Sequence, residues 1–121
     1  MTKYTSLYVL VDDVRDIHAD IILRNGVIAR QILPNIHWDK YEKTVLILDN
    51  DLGWGPEGYR PEGYQLLDMM INNWSIYPDE IQLVTMNPIG RQKMIDILTY
   101  DVDVYNTNGY DRFTKGDVKN A

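Results

Sequence analysis

Thr44-Val45-Leu46-Ile47-Leu48-Asp49-Asn50-Asp51-Leu52-Gly53 is the stretch on which the fold turns. Its apolar residues are consecutive, whereas an amphipathic helix would bring a polar residue back every third or fourth position. A short continuous run that stops at turn-forming residues predicts a strand buried on both faces. Two more runs have the same build. Leu7-Tyr8-Val9-Leu10-Val11 stops at Asp12-Asp13, and Ile81-Gln82-Leu83-Val84-Thr85-Met86 stops at Asn87-Pro88. Weaker candidates at 27–32 and 102–105 bring the expected strands to five.

Helical spacing falls between the runs. Ile17, Ile21 and Ile22 share one face ahead of Asn25-Gly26, a stop signal. A short helix is expected within 35–43, with Trp38 and Tyr41 turned inward. Tyr64, Leu67, Met70, Ile71 and Trp74 recur after Pro61-Glu62-Gly63, and Met94, Ile95, Ile97 and Leu98 follow Asn87-Pro88. Strands alternating with helices predict right-handed crossovers and a mainly parallel sheet covered on both faces. The fold class expected is α/β, a flavodoxin/CheY-like three-layer sandwich with a five-stranded parallel sheet in the order 2-1-3-4-5. Residues 1–108 form the expected domain, and 109–121 read as a polar tail.

Composition narrows the function. The chain has 121 residues, room for one domain, and 45% hydrophobic with 25% charged residues excludes wholesale disorder. Twelve Lys and Arg against 18 Asp and Glu leave a net charge of −6, which argues against a broad nucleic-acid surface because such surfaces need many basic contacts to phosphates. A local grip on one phosphate is still compatible with that balance. The absence of cysteine removes disulfides, thiolate zinc sites and cysteine nucleophiles. No apolar run approaches the ~18 residues of a membrane span, and the N-terminus lacks a secretory signal pattern, so a cytoplasmic location is expected.

In an open parallel sheet, ligands bind beyond the carboxyl ends of the strands where the strand order reverses, here between the first and third strands. Those ends carry Asp12, Asp13, Asp49 and Asp51. Carboxylates gathered in one crevice repel unless a cation lies among them, and an all-oxygen donor set favours Mg²⁺. The plainer alternative is that some of these aspartates cap turns or helices. At Asn87-Pro88-Ile89-Gly90-Arg91 a well-capped helix begins; Gly90 lacks a Cβ and would admit an anion to the first amides, and Arg91 adds a forked donor. A simple capped helix is the alternative. Arg15 could reach the same crevice or pair with a neighbouring acid. Trp54, Tyr59 and Arg60, in the Gly/Pro-rich stretch 53–63, could stack on a base or fold back on the domain. His18 and His37 lie outside the strand ends and read as structural.

The motifs resemble a family. Asp12-Asp13, Asp49 and Thr85 are similar to the acidic pocket and switch threonine of response-regulator receiver domains, yet residues 101–109 hold no lysine where receivers place one after their fifth strand. The cyclic-phosphate processing receiver domain, a divergent branch, fits better. Its pattern is Leu-Asp-Asp-x-Arg, then Leu-Asp-His-Asp-Leu-Gly, then His-Ser-x-Asn-Pro-x-Gly-Arg. This chain has Val11-Asp12-Asp13-Val14-Arg15, Leu48-Asp49-Asn50-Asp51-Leu52-Gly53 and Val84-Thr85-Met86-Asn87-Pro88-Ile89-Gly90-Arg91. Asn50 and Val84 stand where the family has histidine, the natural general acid and base.

The resemblance implies a domain that recognises or processes phosphate ends of RNA or tRNA, cyclic phosphate included, in RNA repair or end processing. Mg²⁺ would be held by Asp12, Asp13 and Asp49, with Asp49, Asp51 and Asp13 as the catalytic carboxylates. Arg15, Thr85, Asn87, Gly90 and Arg91 would receive the phosphate. The alternative is a non-catalytic module that binds a nucleotide or a protein partner on the same fold.

Overall fold

Continuous β-branched and leucine runs need cover on both faces, and the sheet supplies that cover by placing them side by side. In the computed structural model, which describes residues 4–53, 61–99 and 111–119, β1 is Tyr4–Val11 and β3 is Tyr41–Leu48. They pair in parallel, with Val9 beside Leu46 and Val11 beside Leu48. The short β2, Ile21–Leu23, pairs in parallel with the other edge of β1, and β4, Glu80–Leu83, with β3. β5, Asp111–Thr114, completes a sheet of order β2-β1-β3-β4-β5. The order is the expected 2-1-3-4-5. The last strand departs from it in direction, running antiparallel to β4.

Between residues 17 and 32 the expected helix and strand exchange places. Ile21, Ile22 and Leu23 form β2, and α1 occupies Gly26–Ile32. Asn25 does not stop a helix; it starts one, its side-chain oxygen accepting the Ile28 amide at 2.9 Å. Residues 35–43 form no single helix but two 3₁₀ turns, Leu33–Asn35 and Trp38–Lys40, before β3 begins at Tyr41. Trp38 does turn inward, donating its indole N–H to the Leu33 carbonyl. The weak strand at 102–105 lies outside the described residues.

Part of the segment expected as a polar tail belongs to the sheet. Phe113 in β5 is fully buried against Ile81, and Arg112 pairs with Glu80 at 2.6 Å. A 3₁₀ turn over Lys115–Asp117 follows, closed by a reciprocal Thr114–Asp117 capping box.

The two sheet faces are filled unequally. Val9, Val11, Leu46, Leu48, Ile81 and Leu83 meet α1, α2 (Gly63–Asp68) and α3 (Pro88–Leu98) in one large core. The opposite face carries Leu10, Val45, Ile47 and Val84, packed by Ile17 and Ala19 from the irregular segment that follows β1. α2 widens into a π turn over Met69–Asn73, which completes the helix predicted from 64 to 74. Every described helix therefore buries its apolar stripe on the same side of the sheet, and the carboxyl ends of β1, β3 and β4 emerge together at one edge.

Candidate functional site

Each of these three strands delivers part of a motif to that edge. The backbone ladder runs one residue past the strands: the Asp12 amide donates to Leu23, Asp49 to Val11 and Val84 to Leu48. Asp12 and Asp49 are thus fixed side by side at the sheet's end. Asp12, Asp13 and Asp49 can each present one oxygen within 4.8 Å of the other two. Two of the three are buried, Asp12 completely.

Asp12 is anchored on all sides. Its Oδ1 accepts the amides of Val14 and Arg15, both at 3.0 Å, and its Oδ2 accepts Arg15 Nη1 at 2.9 Å. Burial pushes its carboxyl up, but the Val14 amide and the Arg15 side chain and amide outweigh burial and hold it below the usual aspartate range. Asp49 goes the other way. Burial raises its pKa, and the adjacent Asp12 charge adds to that rise against the lowering hydrogen bonds from Thr85 and the Asn50 amide. Arg15 lies between them, 3.3 Å from Asp49 Oδ2, its own pKa raised chiefly by the bond to Asp12. The surroundings push the two carboxyls in opposite directions, and both face the same guanidinium.

Thr85 links this pocket to α3. Fully buried, its hydroxyl bonds to the Asp49 carboxylate and accepts the Asn87 amide at 3.1 Å. Asn87 then caps the helix, its Oδ1 accepting the amides of Ile89 and Gly90 at 3.0 Å each, and its Nδ2 reaches exposed Asp51 at 3.3 Å. The first amides of α3 therefore already have an acceptor. Arg91 is half-exposed in the first turn of α3, one residue beyond Gly90.

Gly90 has a different use from the one its sequence context predicts. A Cβ there would lie 2.2 Å from Asn50 Nδ2 and 2.3 Å from Asn50 Cγ. The missing side chain makes room for Asn50, which is buried and accepts the Tyr64 amide at 3.1 Å. Gly63 is as tightly placed, with a Cβ position only 2.1 Å from the Asp49 carbonyl. The starts of α2 and α3 both press on the Asp49–Asn50 turn. Val84, the second position where the family motif carries histidine, points into the smaller apolar cluster.

The structure thus brings Asp12, Asp13, Asp49, Arg15 and Thr85 into one cluster, with Asn87 and Asp51 bonded at its rim. His18 and His37 are exposed. Trp54, Tyr59 and Arg60 lie outside the described residues. Sequence reasoning missed Arg24, whose Nη1 donates to the Arg15 carbonyl at 2.6 Å while its Nη2 pairs with Asp16 at 2.8 Å, clamping the segment after β1. The helical reading of 17–24 concealed it, because it aimed Arg24 along a helix rather than off the end of a strand.

Lysine is absent from the pocket among the described residues. The lysine that follows β5, Lys115, is carried to the opposite end of the sheet by the antiparallel turn of that strand, where it pairs with Asp79 at 3.4 Å. Among the described residues no helix is long and apolar enough to cross a membrane.

A sheet of order 2-1-3-4-5 with an acidic cluster and a buried threonine at its carboxyl edge defines a receiver-type α/β domain. The chain belongs to the cyclic-phosphate processing receiver domain family, whose model matches residues 7–100. No curated protein and no solved structure gives a significant match to it. The donor set fits a hard divalent ion, being three carboxylates in reach of one another without nitrogen or sulfur ligands.

Proposed function

We propose that the domain recognises the phosphate end of an RNA, a 2′,3′-cyclic phosphate foremost and tRNA ends among the substrates, with Mg²⁺ held by Asp12, Asp13 and Asp49. The convergence of those three carboxylates at the strand ends carries the proposal, and the family supplies the ligand class. When bound, the ion neutralises phosphoryl oxygens and polarises the phosphorus centre. The chain's own groups do the rest. Arg15 and Arg91 supply charged, forked donors, Thr85 fixes the orientation of Asp49, and Asn87 holds Asp51 at the rim. Because Asn87 satisfies the amides of Ile89 and Gly90, the guanidinium groups rather than the helix start carry the phosphate contact.

One observation favours recognition over turnover. Asn50 is buried and bonded to the Tyr64 amide, and Val84 is buried among Leu10, Val45 and Ile47. Neither position offers a group that can carry a proton to a leaving oxygen. If turnover occurs, Asp49, Asp51 or Asp13 must supply that function.

The test is an RNA oligonucleotide ending in 2′,3′-cyclic phosphate, assayed for binding by fluorescence anisotropy and for ring opening by chromatography, in Mg²⁺ and in chelator. Mg²⁺-dependent binding with a preference over the same oligonucleotide ending in 3′-hydroxyl supports the proposal. Equal binding of both ends, or binding indifferent to chelator, overturns it. Ring-opened product would establish turnover.

A further inference from the structure

The two buried carboxylates of the metal-binding cluster already face a cation from this chain. Arg15 Nη1 lies 2.9 Å from Asp12 Oδ2 and 3.3 Å from Asp49 Oδ2, so a single guanidinium nitrogen spans two of the three side chains that would hold a divalent ion. Asp12 has little else to offer a metal. Its Oδ1 is taken by the amides of Val14 and Arg15, which leaves Oδ2, the oxygen Arg15 holds. A guanidinium and a divalent ion in contact with the same oxygens would repel each other strongly in this buried setting.

The backbone under Arg15 is held by contacts separate from those of its side chain. Arg24 grips the Arg15 carbonyl and Asp16, and the Arg15 amide is tied to Asp12. The Arg15 side chain is 32% exposed, open on its solvent side, and can swing outward by rotamer changes with that backbone unmoved.

We infer that Arg15 is the resident cation of the pocket, and that a divalent ion enters by displacing its guanidinium toward the ligand. This rests on the metal-assisted reading above and adds an order to it. Without the ion, Arg15 is engaged by carboxylates; with the ion in place, its forked donors are free to receive a phosphate. Loading of the metal and capture of the phosphate are coupled through one side chain.

Calorimetric titration of Mg²⁺ into the wild type, R15Q and R15K tests this. Removal of a charge-assisted contact that the ion must break should tighten Mg²⁺ binding to R15Q by roughly tenfold to a hundredfold. R15K, which keeps the charge without the fork, should fall between. Equal affinity overturns the inference, as does weaker binding to R15Q, which would mean that Arg15 supports the ion by holding Asp12. The wild type gives a second readout that needs no variant: its Arg15 side-chain Nε–Hε resonance should shift and exchange faster at saturating Mg²⁺. An unchanged resonance in Mg²⁺-bound wild type overturns the inference and leaves the metal site standing. If neither wild type nor R15Q binds Mg²⁺, the metal reading falls and the inference with it. Binding by R15Q alone overturns displacement as well, since the guanidinium would then exclude the ion outright.

Discussion

Gly90→Ala separates two uses of one glycine, a port for an anion or a recess for Asn50. On a bare helix the substitution would stabilise, since alanine exceeds glycine in helix propensity by roughly 1 kcal/mol. Here the new methyl would meet the side-chain Nδ2, Cγ and Cβ of Asn50 at 2.2, 2.3 and 2.8 Å. Overpacking of that kind costs about 1–3 kcal/mol. Asn50 cannot retreat without losing its bond to the Tyr64 amide, which adds about 0.5–1.5 kcal/mol. After the propensity gain, the net loss is roughly 0.5–3.5 kcal/mol, read as a lower urea midpoint with an unchanged slope. All three close contacts belong to the Asn50 side chain, so in an Asn50→Gly background the same substitution should become neutral or stabilising. A Gly90→Ala protein more stable than wild type would refute the reasoning and return Gly90 to the role of an anion port.

Three further outcomes follow from the pocket. The raised pKa of Asp49, from burial and then from Asp12, means that its ionisation opposes folding as pH rises through the folded-state value. Asp49→Asn should therefore raise the metal-free melting temperature at pH 7, with the gain vanishing below the unfolded value of about 3.9; Mg²⁺ should raise the melting temperature of the wild type, and the same variant should lose that rise. A destabilised Asp49→Asn at pH 7 would count against this balance. Arg91→Ala should weaken a phosphate-ended nucleotide by roughly tenfold to a hundredfold in calorimetry, with Arg91→Lys recovering part of the loss, because the first amides of α3 are already capped; equal affinities would remove Arg91 from the contact. Acetyl phosphate or beryllofluoride should leave the chemical shifts of β4 and β5 unchanged, since Lys115 sits at the far end of the sheet with Asp79; clear shifts there would revive a signalling role.

How much was legible in the sequence depended on burial. The strands with consecutive apolar residues, and the aspartates that end them, could be read directly because a two-sided core leaves an unbroken run. β2 could not: three residues are too few to show a period, and Asn25 is a residue type that both starts and stops helices. β5 was hidden for a related reason, because an edge strand reading Asp-Arg-Phe-Thr buries one large side chain and otherwise resembles a tail. At the site, the sequence pattern gathers four aspartates into one crevice; three of them meet, exposed Asp51 stays at the rim on Asn87, and what lies among the three is not legible. For Arg15 the sequence leaves open a place in the crevice or a pairing with a neighbouring acid; both hold, and the choice of Asp12 depends on a turn that only the three-dimensional arrangement of Val14 and Arg24 sets. The position of Asn50 against Gly90 joins residues forty apart along the chain, which no local pattern encodes.

Paramagnetic mapping with Mn²⁺ tests the central claim most directly, because it locates a bound divalent ion without reference to activity. Substoichiometric Mn²⁺ added to isotope-labelled protein should broaden the backbone amides of residues 12–15, 49–51 and 85 first. Amides near Asp79 and Lys115, at the other end of the sheet, should stay sharp. Added RNA ending in 2′,3′-cyclic phosphate should extend the broadening to its phosphorus resonance, and Asp49→Asn should abolish both effects. Broadening that is uniform over the surface, or centred on Asp79, would contradict a metal-loaded phosphate site between β1 and β3.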